Sequence, residues 1–531
     1  MAAPDHLLGP SLQEGPITIT VRTTGDSVAG THHRLVSDDV YPALVFALGL
    51  LACSCVSPGT APLGVPHTLA IGYAGPGGQR ELLQQLTTER LLRTTLDGRY
   101  EPQLAEDWSV DHDGLVVTLT LRQGVQFHDG VELTADIVKQ SLDVALSDIT
   151  RVRAFPSLAN IDRVETAGEQ LHLYLKRPSA LLLDDLLIRI QRGTAAHPIG
   201  TGPFALESES DGYTTLVANP TYHRGRPSVD VVTIKAFPTV RTAWAAMMRG
   251  EIDFLFQVPI QAREFVEAES RVALFRTERP YAYMVRFNLE NPHLSKKSVR
   301  RALNHAVDRD AIIERALRGD GYPASGVWAS HWAFGGVERL YRHDPQLADQ
   351  LLTDAGYPPV TSSPGTSMPA RFRFTCLIPS EPVPYEPAAL LIQQQLYDIG
   401  VDMRVEVIGA RDLQSRLAAG TYDAALVPQN IGRGLSRPYV FWHSSQPNAV
   451  VGYTTADDAL DALRRAVTAE EVSEAASAFQ SVLYEDPPAI FLASPREARA
   501  VHRRFNVTAA SGQDVMETIW RWQPAEMVQA P

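Results

Sequence analysis

Residues 102–138 read PQLAEDWSVDHDGLVVTLTLRQGVQFHDGVELTADIV, and the fold is decided in this stretch. Leu115, Val117, Leu119 and Leu121 alternate with Val116, Thr118 and Thr120, the period-two pattern of a strand with one buried face. Asp113-Gly114, Gly124 and Asp129-Gly130 mark turns, where a glycine can take φ > 0 and an aspartate can bond back to the main chain. Thr134 then has the side chain and position of a helix N-cap, with Ala135, Ile137, Val138, Ser141 and Leu142 following at helical spacing. Trp108 and Phe127 read as core, because an aromatic beside a strand usually packs.

The same alternation of strands and helices runs outward from this stretch. Period-two runs recur at 171–175, 229–237, 281–289, 370–378 and 401–407. Asp344-Pro345 places a cap and an N1 proline ahead of Leu347, Leu351 and Leu352, with a stop at Gly356. A further helix is expected over 387–399, ending at Gly400. Arg300-Arg301 and Asp308-Arg309 read as a solvated or ion-paired helix face. The expected class is α/β, mixed with α+β, and no period of 20 to 50 residues suggests a solenoid.

Catalytic signatures are missing: the sequence holds no G-x-S-x-G elbow, phosphate loop, H-E-x-x-H or dinucleotide fingerprint. A net charge of −13 disfavours nucleic acid as a partner, since phosphate surfaces attract basic patches. The three cysteines cannot build a zinc site or a disulfide scaffold, so no metal and no cofactor is expected.

From Pro42 to Cys53 about a dozen apolar residues fall short of the ~20 that span a bilayer and fit the apolar region of a signal peptide. Leu50-Leu51-Ala52-Cys53 resembles a bacterial lipobox, which implies lipidation of Cys53 and anchoring to the extracytoplasmic face of the cell membrane. Ser54 to Pro66 is uncharged and rich in Pro, Gly and Ser, as a tether should be.

The opening stretch also closely resembles the family 5 extracellular solute-binding proteins of ABC transporters, the oligopeptide, dipeptide and nickel-binding type. Further blocks follow in that family's order: Gly200-Thr201-Gly202-Pro203-Phe204, Asn219-Pro220-Thr221-Tyr222, Met248 to Asp253, Phe287-Asn288, Val299 to Leu303, Val307-Asp308-Arg309, Asp344 to Tyr357 and Gln395 to Val401. The resemblance implies a two-lobed periplasmic-binding-protein-like clamshell (type II, cluster C-like) with an inserted subdomain. Lobe I would comprise 67–98, 199–283 and 496–531, the inserted subdomain 99–198 and lobe II 284–495, behind a leader at 1–53 and a tether at 54–66. It further implies a monomeric, non-enzymatic receptor that closes on a peptide or other small solute and delivers it to ABC permease subunits. Gly200, Thr201, Gly202 and Pro203 could form a hinge or an ordinary tight turn.

Peptide-binding relatives hold the ligand's ammonium with an aspartate shortly after the strand that here is Thr421 to Val427. No carboxylate occupies the corresponding segment, which instead carries Asn430, Arg433 and Arg437. A guanidinium repels an ammonium and suits a carboxylate or phosphate. Arg433 or Arg437 is therefore a candidate selector of an anionic or oxygen-rich ligand. Tyr73, Trp328, Trp332, Phe441 and Trp442 are candidates for stacking on it, or for plain lobe packing. A metal chelate, oligosaccharide or opine-like solute remains an alternative. A regulator's sensor domain would need a basic helix-turn-helix that residues 1–66 have neither the length nor the charge to supply.

Overall fold

The computed structural model describes residues 66–525 apart from 76, 150–151, 153–154, 195–196, 336–338, 361–369 and 381–384. The expected leader at 1–53, Cys53 and nearly all of the tether lie outside the described residues. One large mixed sheet organises the rest. In its first half the strand Thr68–Ala74 runs parallel to Val231–Phe237, with Thr68 opposite Val231 and Ala74 opposite Phe237. In its second half Phe372–Pro379 runs parallel to Val401–Ile408, and Tyr281–Phe287 runs antiparallel to Ala424–Asn430.

A single long strand, Ala489–His502, joins the halves. Its first part pairs with Tyr281–Phe287 and Gly321–Pro323, and its second with Val272–Glu278 and Phe254–Leu255. The exchange of partners falls at Pro495, opposite Gly321, with Arg496 already opposite Glu278. A proline cannot donate to a ladder, so it is tolerated where pairing changes hands. The other crossing is Arg279-Pro280, between the strands Val272–Glu278 and Tyr281–Phe287.

Both faces of the second half are covered, and successive residues serve opposite cores. Met284, Leu377, Ala425 and Phe491 pack in one cluster, while Val285, Cys376, Leu426 and Ile490 pack in the other. This explains the continuous apolar runs there, as opposed to clean alternation. The first half is likewise two-faced, with Ile71, Phe254 and Trp522 on one side and Ala70, Leu255 and Met247 on the other.

The stretch that decides the fold forms a separate four-stranded antiparallel sheet, Ala105–Val110, Val116–Leu121, Gln170–Leu175 and Ile161–Ala167, packed on the helix Ala135–Ser147. Thr134 caps that helix through Ile137 N–H, and Phe127 is fully buried in the shared core, worth roughly 2–3 kcal/mol of apolar burial. Trp108 is only half-buried against it. Asp344 accepts from Leu347 N–H at 2.9 Å at the head of the helix Pro345–Asp354, and Gly356 takes φ 88° just beyond its end. The expected solvated or ion-paired face at 300–309 is corrected in part. Arg300 and Arg309 are buried, Arg300 against Asp486 and the carbonyls of Leu294 and Pro487, Arg309 against the carbonyls of Asn304 and Tyr341.

Gly200 to Pro203 sits where the chain returns from this subdomain to the large sheet. A Cβ on Gly200 would lie 1.9 Å from the Thr87 carbonyl oxygen, and one on Gly202 would lie 2.6 Å from the Thr87 carbonyl carbon. Thr201 is buried and donates to Glu89 Oε2 at 2.9 Å. The glycines thus serve close backbone approach, and the two crossings between the sheet halves lie elsewhere, at 279–280 and 495–496.

Candidate functional site

A cavity of about 480 Å³ opens between the two halves of the molecule. One wall comes from residues before 281 and after 495, the other from the turn that follows the strand Ala424–Asn430 and leads into the helix Ser436–Trp442. Asn430 shapes that turn by accepting Gly432 N–H at 2.9 Å, and Gly432 takes φ 67°.

The walls are in contact, so the cleft is closed. Asp184 is the main latch. Its carboxylate accepts Leu435 N–H at 2.6 Å and Ser436 N–H at 3.0 Å from the opposite wall, and Tyr100 O–H at 2.8 Å from its own. Gly434 lies so close that a Cβ there would sit 1.9 Å from Asp184 Oδ1. Arg433 donates to the Glu278 carbonyl at 3.0 Å and faces Glu517 at 3.6 Å. Trp328 Nε1 donates to the Leu96 carbonyl at 2.7 Å, and Trp332 N–H to that of Asp97 at 2.9 Å. Burial raises the pKa of Asp184 although its three hydrogen bonds and the nearby Arg437 charge pull the other way.

The cavity is rich in guanidinium groups. Among the described residues Arg90, Arg189, Arg224 and Arg437 have no carboxylate within ion-pair distance. Arg224 lies over Trp520, 4.7 Å from the ring centre, and Arg437 over Phe155 at 5.0 Å. The carboxylates on the same walls are mostly committed. Glu89 accepts from Thr201 and Tyr222 and faces His223, and Asp514 pairs with the buried Arg499. Glu278 is the exception, lining the cavity with no hydrogen bond to its side chain among the described residues. Such a surface suits a solute with acidic oxygens and room for one amino group.

Asn430, Arg433 and Arg437 therefore line the cavity. The aromatics expected there lie mostly elsewhere. Tyr73 is buried beside Gly78, with its hydroxyl donating to Gln79 Oε1 at 3.3 Å. Trp442 is buried edge-on to Phe491, and Phe441 packs against the same core. Trp332 is half-buried beneath the Arg99 guanidinium. Trp328 lines a second cavity of about 280 Å³, with Tyr322, Val327 and Ile431, which meets the first at Glu278.

Arg90, Arg189, Arg224, Glu278 and Asp184 had no motif to announce them. Arg90 and Arg189 stand on two-residue strands far apart in sequence. Only the acidic pair Asp184-Asp185, set inside the apolar run Leu181 to Ile188, carried a readable signal.

Among the described residues no three His, Cys, Asp or Glu side chains are placed to hold a metal ion, and no helix is long and apolar enough to cross a membrane. A model of the bacterial extracellular solute-binding proteins, family 5, matches residues 99–452. The glutathione-binding protein GsiB of Salmonella paratyphi A is 27% identical over 385 residues, 68% of this chain and 73% of GsiB. NikZ from Campylobacter jejuni, solved with Ni(L-His), superposes with a TM-score of 0.71 at 22% identity, covering 86% of this chain and all of NikZ. The oligopeptide-binding protein AppA from Bacillus subtilis, solved with a nonapeptide, gives 0.68 at 23% identity, covering 87% of this chain and all of AppA.

Proposed function

This chain belongs to the bacterial extracellular solute-binding proteins of family 5, which serve ABC importers, and from that premise we propose that it captures a small, acidic, peptide-like solute between its lobes and delivers it to permease subunits. The carrying observation is the set of cavity guanidinium groups that have no carboxylate within ion-pair distance among the described residues, Arg437 foremost, on the segment where peptide-binding relatives carry an aspartate. Arg437 and Arg433 hold an acidic group, and the Glu278 carboxylate, which accepts no hydrogen bond among the described residues, suits an amino group. A volume near 480 Å³ is in the range of small-molecule sites and favours a short solute over a long peptide. GsiB, named for a tripeptide carrying two carboxylates and one amino group, supports the same class.

In this reading the protein binds without chemistry. The lobes are 67–98, 199–283 and 496–531 on one side and 284–495 on the other, with 99–198 inserted, and Cys53 anchors the chain outside the cell by lipid. Closure is a population shift favoured by contacts that the solute makes only when both walls are in place. The test is a thermal-shift screen of short peptides, oligosaccharides and metal chelates on the wild type, Arg433→Ala and Arg437→Ala, since a ligand of the folded form raises the midpoint. Acidic peptide-like solutes should raise it in the wild type and much less in Arg437→Ala. An equal response of all three proteins, or a response only to neutral sugars, contradicts the reading.

A further inference from the structure

Arg90 and Arg189 are directly opposite each other across the antiparallel pair Glu89–Arg90 and Arg189–Ile190. Like charges at such positions repel and destabilise the pairing, and of the two only Arg189 has a structural partner, the end of a neighbouring helix. Both line the cavity and both are half-buried. No carboxylate reaches either one among the described residues, and Glu517 acts on Arg90 only through space. Arg189 is held in place by its Nη1, which donates to the carbonyls of Gln84 at 2.9 Å and Thr88 at 3.1 Å at the end of the helix Gly78–Thr87. The guanidinium of Arg90 makes no hydrogen bond at all among the described residues. Burial lowers the pKa of both, and the charge of Arg90 adds to the effect on Arg189, which falls to about 9. The two guanidinium groups thus bring concentrated positive charge to the cavity wall, a surface suited to an acidic group.

Arg90 and Arg189 belong to one wall, and Arg437 belongs to the other. Resting on the reading of the cleft as a site for an acidic peptide-like solute, we propose that the solute carries two acidic groups, one held by Arg90 and Arg189 and the other by Arg437. The first pair is complete on its own wall, so it receives the solute while the cleft is open. The second acidic group meets Arg437 only on closure and so supplies the differential affinity that closure needs. A monoacidic solute satisfies one wall and leaves the other with unneutralised charge.

Calorimetric titration of the full chain with glutathione, its glycine ethyl ester and trialanine tests this. The first has two carboxylates and the others have one each. Wild type should bind glutathione roughly tenfold to a hundredfold more tightly than the ester, the worth of one charge-assisted contact. The ester lacks the glycine carboxylate assigned to Arg90 and Arg189 and keeps the one that meets Arg437, so Arg90→Gln should weaken glutathione about tenfold or more and bring the ratio close to one, and Arg90→Lys, which keeps the charge, should recover part of it and covers the case of a poorly folded Gln variant. Equal binding of glutathione and ester by the wild type overturns the two-acid proposal, as does equal weakening of both by Arg90→Gln. If Arg437→Gln still weakens both ligands in that case, the one-acid reading of the cleft survives. If Arg437→Gln has no effect, or none of the three probes binds, that reading falls as well.

Discussion

Replacing Asp184 by alanine should hold the cleft open without unfolding the protein. Two of its three hydrogen bonds, to Leu435 and Ser436 N–H, cross between the walls, and the third, from Tyr100, stays within one. Charge-assisted bonds contribute about 1.5–3 kcal/mol net. Burial raises the pKa of Asp184 in spite of them, so desolvation consumes part of the gain and the lower figure applies. Two bonds at about 1.5 kcal/mol give about 3 kcal/mol, or roughly a hundredfold loss in apparent affinity at 1.4 kcal/mol per decade. Asp184→Asn keeps an acceptor and should lose roughly fivefold to tenfold. Gly434→Ala attacks the same contact from the other wall, because its Cβ would overlap Asp184 Oδ1, and should weaken binding at least as much. Calorimetry reads the affinity, and small-angle scattering with and without solute reads closure. The latch argument is refuted if Asp184→Ala binds within twofold of wild type, or if its melting midpoint falls as far as its affinity does.

Two further predictions concern Asp185, next to the latch in sequence, and the turn at 200–203. Asp185 is fully buried, its Oδ2 accepts Ser157 N–H at 2.7 Å, its Oδ1 meets no hydrogen-bond geometry among the described residues, and burial pushes its pKa up to about 7. Because the folded value lies above the ordinary 3.8, the native state holds a proton that the unfolded chain releases between about pH 4 and 7. The resulting cost, up to about 4 kcal/mol, is present above pH 7 and fades as pH falls toward 4. Asp185→Asn should therefore melt later than wild type at pH 8 and together with it at pH 4, and a constant difference across that range would refute the assignment. Gly200→Ala should lower the melting midpoint through its clash with the Thr87 carbonyl, at a cost of about 1–3 kcal/mol, and leave solute affinity unchanged in the folded fraction. A normal midpoint with altered affinity would mark 200–203 as a hinge after all.

The fold was legible because its signals are local. Alternation at 115–121, the Thr134 and Asp344 caps and the glycines at 114, 124 and 130, each observed at positive φ, name their own conformations. Arg433 and Arg437 were also visible, as arginines in a segment where the resemblance led one to expect an acid. The rest of the cavity was not, because its geometry depends on long-range pairing. The opposition of Arg90 and Arg189 exists only once two residue pairs distant in sequence form a ladder. Burial separated the aromatics in the same way. Trp442 and Tyr73 have the composition of a stacking platform, but the cores they fill claimed them. Arg300 reads as a surface charge until Asp486 and the Pro487 carbonyl are seen beside it.

The crystal structure of the protein with the tightest ligand from the thermal-shift screen tests the central claim most directly. The account predicts a closed cleft with acidic oxygens of one solute within hydrogen-bond distance of the Arg437 guanidinium. A neutral or amino group of the ligand against Arg437, or a ligand seated outside the cavity between the walls, would contradict it.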